Sequence, residues 1–246
     1  MKIMKKTLLL LAMIACALPM FADEKKEEMK DTERIEAAAN VMKEILATPD
    51  KGIPRDLLNK ADCVVIYPSV KKAAFIVGGS YGRGLVTCRR GASFAGGWSA
   101  PAMFALEGAS VGFQIGGQET DFVLLVMNES GANSIMTSKV KLGADASAAA
   151  GPVGRDTSAE TDVVMKAEIL SYSRAQGLFA GVSLEGSTMR ADDGANKSLY
   201  GKELSAKDIV RLGKVKAPAS AARLLAILTK ASPRHVSKST AAHKKS

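Results

Sequence analysis

The segment 171–186, SYSRAQGLFAGVSLEG, constrains the fold most because its apolar residues alternate with small or polar ones. Successive side chains of a β-strand point to opposite faces, so this period of two predicts a half-buried strand. Gly177 and Gly186 punctuate its ends, and Gly181 inside it predicts a bulge or the close approach of another backbone. We therefore expect a strand in a packed sheet, with one face formed by Leu178, Ala180, Val182 and Leu184.

Further strands are predicted by apolar or alternating runs at 63–68, 73–79, 81–90, 122–127 and 163–172. Residues 28–47 instead repeat apolar side chains at helical spacing. We interpret that helix as packed on the sheet, the alternative being an amphipathic helix that lies on a membrane. The predicted fold class is α+β, with antiparallel strands in a curved or barrel-like sheet and N-terminal helices packed on it.

The formal net charge of +9 is concentrated at the two ends of the chain. Residues 1–22 carry +3 and residues 218–246 carry +6, which leaves residues 23–217 neutral overall. A basic start, an apolar stretch and a small residue before a charged run make residues 1–22 an export signal peptide. We therefore predict three parts: the signal peptide, a single domain over 23–217, and a basic C-terminal helix with a disordered tail over 218–246.

Two products of export stay open. Cleavage after Ala22 would release a soluble protein, whereas the residues MIAC at 13–16 resemble the lipobox of bacterial lipoproteins, in which Cys16 would be acylated. In both cases the expected location is the periplasm or cell envelope of a bacterium.

Residues that carry common enzymatic chemistry are scarce. His235 and His243 both lie in the tail, and the carboxylates form no recognisable acid and base pair, so we predict no catalytic residues. The glycine-rich residues 78–84 match neither the GxGxxG spacing of dinucleotide-binding loops nor the GxxxxGKS/T spacing of phosphate-binding loops, and we expect no cofactor. Three cysteines lack the spacing of a zinc site. Cys63 and Cys88 are either a disulfide or two small buried residues.

Basic residues that flank the glycine-rich turns are the remaining candidates for a site. If they cluster on the neutral domain, they would form a site for an anionic lipid headgroup, with about 1 kcal/mol from each charge near the surface. The alternative for each is an ordinary solvated or ion-paired side chain. The candidate lipid-binding residues are Lys71, Lys72, Arg83, Arg89, Arg90, Lys141, Arg155 and Arg174.

A set of glycine-rich motifs, in order along residues 30–212, resembles the SYLF domain family of lipid-binding domains. The motifs are GGSYGRGLVTCR at 78–89, GGWSAP at 96–101, GGQETDFVLLVMN at 116–128, KLGADASAAAGPVGR at 141–155, YSRAQGLFAGVSLEG at 172–186 and NKSLYG at 196–201. The resemblance implies a binding domain without agreed catalytic residues. Eukaryotic members bind phosphoinositides, and some bundle actin, usually beside a Src-homology-3 or FYVE module that we do not recognise in this sequence.

The predicted function is therefore non-enzymatic, peripheral binding of anionic phospholipid at the bacterial cell envelope, with no specific nucleic-acid partner. A second hypothesis is a structural envelope protein that self-associates or binds a protein partner, with the basic tail contacting envelope polymers. A third is an enzyme that acts on lipid, which recovery of chemically unchanged lipid would exclude.

Overall fold

The computed structural model describes residues 30–47, 52–74, 77–91, 93–111, 116–137, 139–154, 166–175, 177–233 and 235. The predicted signal peptide with Cys16, the basic residue Arg155 and the tail beyond residue 235 lie outside these residues. None of the helices in the described part of the chain has the length and apolar character needed to cross a bilayer.

The described residues form a curled sheet of nine strands and six α-helices. The helices are α1 at 30–47, α2 at Arg55–Lys60, α3 at Glu129–Ile135, α4 at Asp193–Tyr200, α5 at Ala206–Val210 and, after a 3-10 turn at Ala219–Ala221, α6 at Ala222–Ala231. The strands are β1 Cys63–Ala74, β2 Val77–Cys88, β3 Ala102–Val111, β4 Gly116–Val126, β5 Lys139–Lys141, β6 Ala148–Ala150, β7 Ile169–Ala175, β8 Leu178–Gly181 and β9 Thr188–Ala191.

The strand order is β5-β9-β3-β2-β1-β4-β7-β6, and β8 pairs with β7 beside this path. All pairs are antiparallel except β6 with β7, which is parallel. The predicted α+β class and curved sheet are confirmed, and the sheet is mixed rather than purely antiparallel. Residues 151–168 separate these two strands, which is long enough for the crossover that a parallel pair needs.

Two apolar clusters cover the two faces of the sheet. One cluster contains Val65 of β1, Leu124 of β4 and Ile209 of α5. The other contains Val64 of β1 together with buried residues of four helices: Ile35 of α1, Leu57 of α2, Ala195 of α4 and Leu228 of α6. We call the second face the helical face, because these helices contribute to its cover. The interpretation of the N-terminal helix as packed on the sheet is thus confirmed.

Helix α6 belongs to the same apolar cluster as α1, although the sequence predicts a separate C-terminal region from residue 218. Ala221, Leu224 and Leu228 are fully buried in that cluster, and Arg223 donates a hydrogen bond of 2.7 Å to Asn40 of α1. The division at 217 stays a prediction, but a truncation there would remove part of the core.

Cys63 and Cys88 face each other across β1 and β2 and form a disulfide. Of the two interpretations that the sequence left open, the structure therefore has the disulfide. Both residues are fully buried at the end of the strand pair. The cross-link fixes the register of the two central strands.

Close packing explains two glycines. A Cβ on Gly84 would overlap the backbone carbonyl of Ile66, and a Cβ on Gly181 would overlap the backbone of Gly151. The close approach predicted at Gly181 is therefore confirmed. The chain leaves β8 at this residue, so the strand is shorter than the alternating segment.

Along β8 the face that carries Leu178 and Ala180 is the exposed one, although the apolar alternation indicates burial of that face. Leu184 is buried, but Leu178 is 69% exposed, and Phe179 on the opposite side packs against the helical-face cluster. Strand β8 lies at the margin and pairs with β7, so Leu178 lies outside the packed layers. The alternation of apolar residues predicted the strand correctly, but it did not predict which of the strand's side chains are buried.

Candidate functional site

Of the eight predicted lipid-binding residues, the six whose side chains the structure describes are distributed over several strands of the sheet and their ends. Arg83, Arg89 and Arg174 each contact another part of the chain through their guanidinium groups. The exposed members, on different segments, are Lys71, Arg90 and Lys141. The structure describes the backbone of Lys72 but not its side chain, and Arg155 lies outside the described residues.

Arg83 on β2 is partly buried and contacts the residue that caps α4. Its Nε donates a hydrogen bond of 2.6 Å to Oδ2 of Asp192. Burial lowers the pKa of Arg83, but the hydrogen bond and charge of Asp192 outweigh that effect and raise it. Asp192 also accepts a hydrogen bond of 3.2 Å from the amide of Ala195. The guanidinium therefore anchors the start of α4.

Arg174 on β7 joins two elements of the helical face. Its Nε donates a hydrogen bond of 2.6 Å to Oδ2 of Asp121 on β4, and its Nη1 forms an ion pair with Glu44 of α1. Asp121 also accepts a hydrogen bond of 2.8 Å from the amide of Ser69. Burial lowers the pKa of Arg174 and raises that of Asp121, since both charges are partly removed from water. This network holds α1 over β4 and β7.

Arg89 is the most deeply buried of the predicted residues, with 1% of its surface exposed. Its Nη2 donates to the carbonyl oxygen of Ser232 at 2.6 Å and to the hydroxyl of Ser232 at 2.5 Å, and its guanidinium lies 4.2 Å from the centre of the Trp98 ring. Burial lowers the pKa of Arg89. Ser232 is the C-cap of α6, so Arg89 fixes the end of that helix.

These contacts favour structural roles for the three arginines, because their guanidinium groups already have intramolecular partners. Lipid binding by any of the eight residues stays a prediction. The sequence does not indicate these partners, because they are distant from the arginines along the chain, as Ser232 is from Arg89.

The C-terminal end of the sequence carries positive charge without any side-chain carboxylate. The last side-chain carboxylate is Asp208, and nine Lys and Arg residues follow it. Arg223 and Lys230 carry this charge onto the exposed side of α6. Within this region Lys214 forms an ion pair of 2.7 Å with Asp208. The packed helix thus presents cations in a fixed position.

Two cavities that share lining residues lie at α1 and α2, and one of them is also lined by α6. One, of about 510 Å³, is lined by residues of α1, the start of α2 and Gly154. The other, of about 370 Å³, lies between α1, α2 and α6. Both are lined by Leu46 and Arg55, so we treat them as one basic groove. Its further lining residues are Lys43, Ile45, Ala47, Ile53, Pro54, Asp56, Gly154, Ile227, Lys230 and Ala231.

The sequence prediction missed this groove because α6, which lies far from α1 and α2 in the sequence, packs beside them. Lys43, Arg55 and Lys230 were ordinary charged positions in the sequence. The predicted C-terminal helix has apolar residues at helical spacing and no acidic residue. This combination indicates a packed helix with a cationic exposed side, but it does not indicate which elements lie next to that helix.

A third cavity, of about 580 Å³, lies at the sheet margin near β5 and β9. Its lining includes Lys139 and Lys141 together with the carboxylates of Glu107 and Asp145. Glu107 accepts a hydrogen bond of 2.8 Å from Arg190. The mixed charges make this cavity a weaker candidate for an anionic ligand than the basic groove.

In the described ranges no three His, Cys, Asp or Glu side chains are grouped so that they could hold a metal ion. His235 is the histidine that these ranges include, and its Nε2 lies 2.8 Å from Oδ1 of Asp62. Burial raises the pKa of Asp62, an effect that His235 opposes. Both side chains are buried, so the contact ties the C-terminal segment to the beginning of β1.

Sequence comparisons with known proteins find relatives over most of the chain. The sequence profile of the Ysc84 family, described as "Las17-binding protein actin regulator", matches residues 107–231. The SH3 domain-containing protein PJ696.02 of Schizosaccharomyces pombe is 39% identical over 179 residues, which cover 72% of this chain and 40% of that protein.

Two further relatives have similar coverage. Protein YSC84 of Saccharomyces cerevisiae is 36% identical over 182 residues, 73% of this chain and 38% of that protein. SH3 domain-containing YSC84-like protein 1 of Xenopus laevis is 32% identical over 197 residues, 78% of this chain and 58% of that protein. The match thus spans between 38% and 58% of these relatives' lengths.

Proposed function

Because the chain belongs to the Ysc84 family of SYLF domains, we propose that it is a binding protein that attaches peripherally to anionic phospholipid without altering it chemically. The observation that carries this proposal is the position of the net charge. Nine Lys and Arg residues and no side-chain carboxylate follow Asp208, and α6 presents two of them, Arg223 and Lys230, on its exposed side.

Electrostatic attraction gives this arrangement a clear physical consequence. Each Lys or Arg near an anionic membrane surface contributes about 1 kcal/mol, and the attraction falls off within a Debye length of about 10 Å at 0.1 M salt. A rigid helix holds Arg223 and Lys230 together, whereas charges of the same sign on the neutral part of the domain are offset by carboxylates. We expect the C-terminal side to face the membrane.

Vesicle co-sedimentation of the purified protein tests the proposal. We expect pelleting with phosphatidylcholine vesicles to rise as phosphatidylglycerol is added and to fall at high salt, with the lipid recovered unchanged. Deletion of residues 236–246 removes Lys238, Lys244 and Lys245 but retains α6, so it should weaken binding without abolishing it. Absence of pelleting at every phosphatidylglycerol content would refute the proposal.

Attachment in the bacterial cell envelope is the cellular setting that we propose. The export pattern of residues 1–22 supports it, and so does the Cys63–Cys88 disulfide, because disulfides persist mainly in oxidising compartments. The mass of the protein isolated from envelope fractions distinguishes a product beginning at Asp23 from one acylated at Cys16. A full-length, reduced protein in the cytoplasmic fraction would contradict this setting.

A protein partner is the second candidate function, favoured by the name of a further relative. LAS seventeen-binding protein 3 of Saccharomyces cerevisiae is 34% identical over 182 residues, 73% of this chain and 39% of that protein. On this alternative the protein would not pellet with protein-free vesicles, but would self-associate or bind another protein in solution. Sedimentation of the protein with and without vesicles therefore separates the two functions.

A further inference from the structure

We propose that the basic groove accepts one acyl chain of an anionic membrane phospholipid, while Lys43, Arg55 and Lys230 bind the phosphate of its headgroup. This inference rests on the proposed function and adds a defined lipid site to it. In this site the acyl chain and the headgroup of one lipid molecule are bound together. Such binding differs from electrostatic attraction of the protein to a charged membrane surface.

The floor of the groove is apolar and is supported by the core. Leu46 of α1 and Ile227 of α6 are partly buried and pack against the helical-face cluster, and Ala47, with its small side chain, lines the same cavity. Beneath this layer Ile45 is 1% exposed and Leu228 is fully buried. The groove therefore has fixed walls and an apolar surface that gains from covering by a hydrocarbon chain.

The rim of the groove is cationic and comes from three separate helices. Lys43 projects from α1, Arg55 from α2 and Lys230 from α6, and each is exposed. Within the described part of the chain none of the three has an ion-pair partner. Asp56 is the carboxylate among the groove's lining residues, and Glu44 of α1 is paired with an arginine of β7. The rim thus carries an excess of positive charge.

The shape and charge together favour a lipid chain over a peptide helix. Cavities of about 370 and 510 Å³ fall within the range of small-molecule sites, about 300 to 1,000 Å³. A docked amphipathic helix would need apolar anchors repeated over several turns, along a longer groove. An apolar floor with cations above it matches a molecule that has one hydrocarbon chain next to one phosphate.

The test uses a soluble phospholipid, so that binding to a charged surface does not contribute. Dihexanoyl-phosphatidylglycerol is titrated below its micelle concentration into full-length protein with labelled isoleucine methyl groups. We expect shifts of the methyl signals of Ile45, Ile53 and Ile227, which line the groove. The signals of Ile135 and Ile169, which lie in the cluster on the other face, should not move.

Two matched pairs of variants assign the chain and the headgroup. Ala47→Phe fills the groove without a change of charge and should weaken lipid binding about tenfold, while Ala226→Phe on the exposed side of α6 should not. Lys230→Gln should weaken it about fivefold, while Lys216→Gln, with the same loss of charge, should leave it within about twofold.

The outcomes separate this site from the proposed function. Vesicle binding with no methyl shifts, or equal effects of the two phenylalanine variants, would overturn the groove and leave surface attachment intact. No vesicle binding and no methyl shifts would overturn both. The lipid assignment would also be overturned if an acidic amphipathic peptide shifted the signals of the three groove isoleucines and the lipid did not.

Discussion

The contact between Arg89 and the end of α6 yields a prediction that separates a structural role from a lipid-binding role. In Arg89→Met the apolar stem is retained, but the guanidinium that donates to the carbonyl and hydroxyl of Ser232 is lost. The carbonyl of Ser232 then loses its charged donor in a site with little access to water. We expect a loss of stability while the exposed cations remain unchanged.

The size of the loss follows from three contributions. Hydrogen bonds from a charged donor contribute about 1.5–3 kcal/mol, and a desolvated guanidinium over an indole ring about 1–2 kcal/mol. Burial of the charge opposes both, which is also why the pKa of Arg89 is lowered. We therefore expect the free energy of unfolding to fall by about 2 kcal/mol, because desolvation offsets part of the gain.

Urea unfolding of the oxidised protein, followed by circular dichroism, measures this change. A loss of about 2 kcal/mol would lower the midpoint by about 1 M. Arg90→Met is the matched control, since Arg90 is the exposed neighbour, and it should stay within about 0.5 kcal/mol of the wild type. Equal stability of Arg89→Met and the wild type, together with weaker vesicle binding, would refute the structural role and restore Arg89 as a lipid ligand.

Two other predictions concern the disulfide and a surface carboxylate. Reduction of Cys63–Cys88, which closes a loop of sequence separation 25, should lower the free energy of unfolding by about 3–4 kcal/mol, and a melting temperature insensitive to reductant would contradict this. Hydrogen bonds from Lys214, and to a smaller extent from Ser205, lower the pKa of Asp208 to about 2. The stabilisation that the ionised Asp208 contributes is therefore present above the ordinary pKa of 3.8 and is lost as the pH falls through about 2. Carboxyl NMR titration should give that midpoint, and Lys214→Gln should raise it, whereas a midpoint near 3.8 in the wild type would show that the contacts do not persist in solution.

Local periodicity predicted the fold class because it reports which side chains face the core. The alternation around Gly181 identified a strand, and the apolar repeat of 28–47 identified α1. Periodicity does not report which strands pair, so the parallel β6–β7 pair was not predicted. It also does not report the margin of the sheet, where Leu178 is exposed.

The candidate site was less predictable because charge patterns do not specify partners. Arg174 looked like a free cation in the sequence, yet its partners Glu44 and Asp121 come from α1 and β4. The basic groove depends on the packing of α1, α2 and α6, none of which carries a distinctive motif. Whether each cationic side chain is available to a ligand or is paired within the protein depends on contacts between distant segments of the chain.

The packing of α1 and α6 on one face has a consequence for synthesis of the protein. The first and last described helices cover the same side of the sheet, so a nascent chain that ends before residue 222 leaves Val64, Ile66 and their neighbours without the cover of α6. Synthesis proceeds from the N-terminus, and an uncovered apolar face is prone to aggregation. Folding of the helical face therefore finishes only after α6 has left the ribosome or the export channel.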